Sequence, residues 1–118
     1  MDADISWEGD SLDVLSAFPI DVKSDLGFGL RQLQQGKRPA CECRPMQSIG
    51  PSVFELKTQD AQTWYRVIYL SRIDDVIYVL HSFEKKSNKT PTGDLQIAQA
   101  RLKLVKRRLL ESKKRRKK

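Results

Sequence analysis

The sequence holds a single histidine, His81, and only two cysteines, Cys41 and Cys43, among its 118 residues. A structural zinc site needs four ligands of suitable type and spacing, and a Cys-x-Cys pair with one distant imidazole does not supply them. The two cysteines therefore read as reduced thiols in a cytosolic loop or edge strand. The chain also lacks a Gly-rich phosphate loop, a nucleophile elbow and a carboxylate cluster, so the common nucleotide-binding and hydrolase signatures are absent. No metal and no cofactor is expected. No apolar run approaches membrane-spanning length, and the opening MDADISWEGD has neither the basic nor the apolar region of a signal peptide. The expected location is the cytoplasm, with no membrane partner.

Charge is what the chain has in quantity. The net charge is +7, and it is unevenly spread. Asp2, Asp4, Glu8, Asp10, Asp13, Asp21 and Asp25 face a single Lys23 in the first thirty residues, whereas the stretch from Arg101 to Lys118 is almost wholly basic. An acidic front and a basic back suggest a polyanionic partner met by one side of the molecule. RNA, DNA and an acidic protein all fit that description.

The length is that of one ordinary domain. Three runs rich in Val, Ile, Tyr, Phe and Trp read as strands: Val53 to Lys57, Thr63 to Leu70 and Val76 to Ser87, separated by polar pairs such as Gln59-Asp60 and Asp74-Asp75. They predict a three-stranded antiparallel meander, with Ile5-Ser6-Trp7 as a possible edge strand. Asp10-Ser11 can cap a brief helix over Leu12, Val14 and Leu15. Pro19 suits the first turn of a longer helix, with Val22, Leu26, Leu30 and Leu33 at helical spacing and Gly36 as its stop. Lys37 to Pro51 reads as an irregular connection. Thr90-Pro91 can open a last helix, whose seam is Leu95, Ala98, Leu102, Val105 and Leu109. The reading is an α+β domain over residues 1–110, a small antiparallel sheet packed by N-terminal helices and a C-terminal helix. A basic tail over 111–118 cannot bury itself and should be frayed.

Within the strands, Lys57, Arg66, His81, Lys85 and Lys86 stand out. Arg66 lies among large apolar neighbours, and a guanidinium there must be paired or lie on a functional surface. His81 and Lys85 share the parity of Ile77, Val79 and Phe83, which places a cationic patch at one edge of the sheet. Lys57 matters only where it converges with Arg66. A surface that holds RNA needs cations for phosphates and rings for unstacked bases; Trp64, Tyr65, Tyr69, Tyr78 and Phe83 supply the rings, although aromatic residues in strands commonly pack as core. A catalytic patch of this kind would cleave RNA without metal. A 2′-hydroxyl attacks the adjacent phosphate while fixed cations stabilise the growing oxyanion, and His81 or a lysine carries the proton.

The order Trp7, Phe18-Pro19, Gln35-Gly36, Phe54-Glu55-Leu56, Tyr65-Arg66-Val67-Ile68-Tyr69, Tyr78-Val79-Leu80-His81-x-Phe83-x-Lys85-Lys86-Ser87 and Lys89-Thr90-Pro91 resembles the phage-derived, HigB-like toxins of the RelE/ParE superfamily. The resemblance runs from about Trp7 to Arg108. It implies a RelE-like α+β toxin fold and a type II toxin that cleaves messenger RNA, usually on the ribosome. It also implies neutralisation by a helix-turn-helix antitoxin. Carried over, the site comprises Lys57, Arg66, Lys85 and Lys86, with His81 beside them; the residues themselves add Trp64 and Phe83 as candidates for base stacking and Lys89 as an RNA contact. Some relatives carry a catalytic His or Tyr near the C-terminus, where this chain has Leu, Lys, Arg, Glu and Ser. A second reading is therefore a non-catalytic module of toxin ancestry that binds nucleic acid or an antitoxin. Inhibition of DNA gyrase, as in the ParE branch, fits the Tyr-Arg and Lys-Lys pattern less well.

Overall fold

Two adjacent residues of positive φ, Asp74 at 49° and Asp75 at 64°, turn the chain back on itself between its two longest strands. Short polar side chains tolerate this backbone region, and such a two-residue turn matches the twist of the strands it joins. The computed structural model describes residues 2–86 and 91–116, the last two as backbone alone. In chain order the elements are β1 (Asp4–Trp7), α1 (Ser11–Ser16), α2 (Ile20–Gln34), β2 (Glu42–Pro45), β3 (Val53–Gln59), β4 (Trp64–Ile73), β5 (Val76–Lys85) and α3 (Thr92–Arg116). The strands form one sheet in the order β1-β5-β4-β3-β2.

The meander over β3, β4 and β5 is present and antiparallel. The β3–β4 loop is set by Asp60, whose carboxylate accepts the backbone N–H groups of Gln62 and Thr63 at 3.0 and 2.8 Å and the Tyr65 hydroxyl at 2.9 Å. Two expectations need correction. The edge strand β1 pairs parallel to β5, so the sheet is mixed; the chain leaves β1 through two helices, and no hairpin fixes its direction. The segment read as irregular contains β2, which pairs antiparallel to β3. Backbone hydrogen bonding extends this short edge strand by one residue, Met46 N–H to Val53 C=O at 2.8 Å.

Both faces of the sheet are covered. On one, Leu15, Phe18, Val22, Leu26 and Leu30 of the first two helices and the loop between them pack on Leu56, Tyr65, Val67, Tyr69, Ile77 and Val79. On the other, Ala98, Leu102 and Val105 of α3 pack on Met46, Val53, Ile68, Leu70, Leu80 and Phe83. Each fully buried aliphatic or aromatic side chain contributes about 1.5–3 kcal/mol to this sandwich. Gly36, at φ 75°, ends α2 as expected. Gly29 lets α2 approach the sheet, since a Cβ there would stand 2.8 Å from Cys41 Sγ. The apolar seam of α3 is the one expected, and the helix runs on past Leu110 to Arg116, with residues 111–114 exposed.

The pairing of β4 with β5 shifts register twice, between Leu70 and Ile73 near the turn and between Ile68 and Tyr69 in mid-strand. Ile68 lies opposite His81 and Tyr69 opposite Val79, which leaves Leu80 as an extra residue in β5. The bulge changes the parity of the strand beyond it. His81, Phe83 and Lys85 therefore project on the face of Tyr78 and Leu80, under α3, and not on the face of Ile77 and Val79 as simple alternation predicts.

Candidate functional site

The strand register brings Lys57 and Arg66 together. They lie directly opposite one another, and Arg66 lies opposite Phe83. The next row toward the strand ends holds Gln59, Trp64 and Lys85; the row behind holds Glu55, Ile68 and His81. All nine side chains belong to the sheet face that α3 covers, because Ile68 in the same set packs against that helix. Lys57, Arg66, Phe83, Trp64 and Lys85 are thus brought together, and His81 stands one row away. Lys85 and Lys86 are exposed and border a shallow pocket of about 260 Å³ with Thr63 and Glu84. Lys89 and the Thr90 cap lie outside the described residues.

Carboxylates that the sequence reading passed over temper the positive charge of this face. Glu55, fully buried, receives Arg44 Nε at 3.1 Å and faces Arg66 Nη1 at 3.5 Å; the Arg66 side chain is also 0% exposed. Lys57 Nζ meets Glu42 at 2.9 Å and sits 4.6 Å from the centre of the Trp64 ring. Low exposure strengthens these attractions and makes their loss costly. The signal for Glu55 was present: it stands two residues before Lys57 in the same strand and so must share its face.

His81 is enclosed. Its Nε2 lies 2.7 Å from an Asp94 carboxylate oxygen, and Arg101 Nη1 lies 3.3 Å from Nδ1. A guanidinium has no acceptor, so Nδ1 accepts from Arg101 and the ring proton belongs on Nε2, donated to Asp94. The ring stacks on Phe83 at 5.1 Å and 16°. Arg101 also donates to Leu80 C=O at 3.0 Å and to Asp10 at 2.9 Å, and Arg108 reaches Glu8 at 2.7 Å. Hydrogen bonding to Arg101 holds the Asp10 carboxyl below its ordinary range. Asp94 and Arg101 were not singled out from sequence, because only the fold brings α3 against β5.

Among the aromatic residues, Tyr65 packs edge-on against Phe18 at 5.0 Å and Tyr69 stacks on Phe54 at 5.8 Å, both in the core on the opposite face. Phe83 is buried, and Trp64 is half-buried. Burial pushes the Cys41 thiol up to about 11. Among the described residues no group of three or more His, Cys, Asp or Glu is placed to hold a metal ion, and no helix is long and apolar enough to cross a membrane.

The face can do two things chemically. Buried Lys57 and Arg66 set a fixed positive potential, and exposed Lys85 and Lys86 can meet an anion directly. No curated protein matches the chain. A family model described as phage derived protein Gp49-like (DUF891) matches residues 13–103, from α1 into α3. That family is associated with RelE/HigB-like toxins, and the five-stranded mixed sheet with its helices is compatible with a small RelE-like α+β fold. Because the match spans all the strands of the meander and both helical layers, the chain belongs to the phage-derived Gp49-like family.

Proposed function

We propose that the chain is the toxin of a type II toxin–antitoxin pair, an endoribonuclease that cleaves messenger RNA on the ribosome without a metal and is neutralised by a helix-turn-helix antitoxin. The observation that carries this reading is the register that lines up Lys57, Arg66 and Lys85 at one end of a single sheet face. Lys85 and Lys86 contact the RNA phosphates, with Lys89 as a further contact in the same stretch. Lys57 and Arg66 act from beneath. As the 2′-oxygen attacks phosphorus and the 5′-oxygen leaves, negative charge grows on the non-bridging oxygens, and preorganised cations stabilise it without having to reorient. Trp64, half-buried in the row of Lys85, offers a partly open ring to a base. Phe83 and His81 act as positioning residues, since His81 ties β5 to the first turn of α3 through Asp94.

A second reading has its own support. Glu42 and Glu55 offset part of the cationic charge, and both ring nitrogens of His81 are engaged, an arrangement that also suits a module that binds nucleic acid or an antitoxin without cutting. Mapping new 5′ ends on messenger RNA after induced expression in bacteria separates the two. Wild type should produce cuts that fall at least about tenfold in Lys85→Ala/Lys86→Ala, the size expected from loss of one charge contact or two in the transition state. Absence of cuts from folded wild-type protein would refute the nuclease and leave the binding module.

A further inference from the structure

The cations of α3 fall into two sets. Arg101 and Arg108, seven residues apart and so on one side of the helix, are tied to Asp10 and Glu8. Lys103, Lys106, Arg107, Lys113 and Lys114 are exposed, and among the described residues none of the five meets a carboxylate. Their spacing of three, four, seven and eleven residues puts them on one stripe about 16 Å long, at 1.5 Å per residue. Gln96 and Gln99 continue that stripe toward the start of the helix. There it opens into a groove of about 450 Å³ between α3 and the turn before β3, lined by Ile49, Gln96, Gln99, Leu102, Lys103 and Lys106. Like charges at positions 103, 106 and 107 disfavour an isolated helix, and an anion outside the chain would relieve that repulsion.

We propose that this stripe is a nucleic-acid contact separate from the Lys57–Lys85 row, gripping RNA by successive phosphates. The assignment to RNA rests on the toxin function proposed for the chain; the phosphate chemistry does not. The cations recur at steps of about 5–10 Å along the helix, which suits a phosphate backbone. A membrane surface would need a continuous apolar face beside the basic one, whereas the main seam of α3 is buried on the sheet and its exposed apolar side chains are three separate ones, Ile97, Leu104 and Leu110. The groove adds concavity, which focuses the positive field.

Fluorescence anisotropy with a labelled hairpin RNA, titrated at several salt concentrations, tests the stripe. With five phosphates engaged, the logarithm of affinity should fall with the logarithm of salt at a slope of about −4. Lys103→Gln/Lys106→Gln/Arg107→Gln should flatten that slope by about 2–3 and weaken binding at least about tenfold at moderate salt. Lys23→Gln/Lys37→Gln/Arg38→Gln removes the same charge from the region of α2 and should leave the slope within about half a unit. Equal effects of both triples would show a net-charge effect and overturn the proposal, as would no effect of the first. Tighter binding to vesicles containing phosphatidylserine than to the hairpin, lost in the same triple, would overturn it in favour of a membrane. Stripe-dependent binding without any cleavage would refute the nuclease and keep the stripe; cleavage with an unchanged slope in the stripe variant would do the reverse.

Discussion

Replacing Glu55 by alanine removes the carboxylate that faces Arg66 at 3.5 Å and Arg44 at 3.1 Å. The two arginines should respond differently. The Arg44 side chain is 43% exposed and can turn to water, whereas that of Arg66 is 0% exposed and stands directly across from Lys57. Loss of one partner of a buried pair costs about 3–5 kcal/mol, a large share of the roughly 5–15 kcal/mol that a domain of this size has in total. With an unfolding entropy of about 0.25 kcal/mol/K for a chain of this length, Tm should fall by roughly 12–20 °C. Removing both charges in Glu55→Leu/Arg66→Met should recover most of that loss, because well-packed apolar pairs commonly replace buried ion pairs at little cost. Thermal melts followed by circular dichroism, with urea titrations as a check, measure all three proteins. A Glu55→Ala variant that melts within about 3 °C of wild type, a change below 1 kcal/mol, would refute the view that this carboxylate compensates Arg66.

Three further outcomes are expected. Gly27 has open space where a Cβ would stand, while one at Gly29 would meet Cys41 Sγ at 2.8 Å; Gly27→Ala should therefore stabilise by up to about 1 kcal/mol and Gly29→Ala should not, a difference that chemical denaturation will show or deny. With its thiol raised to about 11 by burial, Cys41 stays protonated at neutral pH and should react with a disulfide reagent far more slowly than exposed Cys43, and equal rates at both sites would contradict the geometry. The depressed Asp10 carboxyl contributes stability that is present above its unfolded value of 3.8 and is lost as pH falls through the lower folded value. Asp10→Asn should flatten the acid limb of a stability profile below about pH 4, and an unchanged limb would show that the contact with Arg101 does not matter to folding.

The meander was legible because its strands are dense in β-branched and aromatic residues and its turn residues fall between them. The seam of α3 was legible for the same kind of reason, a period written in neighbouring positions. What escaped was non-local. The strand Glu42–Pro45 has no alternation to betray it and exists because β3 offers an edge. The parallel run of β1 depends on where two helices deliver the chain. A single extra residue at Leu80 put His81 on the face opposite to the one its parity announced. At the site, the cations were visible as anomalies in apolar strands, whereas the partners Glu42 and Asp94 became visible only once register and helix placement were known.

The two arginine ties of α3 also bear on how the protein comes into being. Glu8 and Arg108 are separated by 100 residues and Asp10 and Arg101 by 91, and β1 must wait for β5 before it has a neighbour to pair with. Contacts of such span form late and slowly, since their loop-closure entropy must be overcome first. During synthesis Glu8 and Asp10 therefore emerge long before their partners, whereas Asp2 and Ala3 meet Arg31 and Gln34 of α2 much sooner. The face that gathers Lys57, Arg66 and Lys85 gains its cover and its stapled helix only when nearly all of α3 has been made, so a growing chain carries that sheet face uncovered after its strands are already complete.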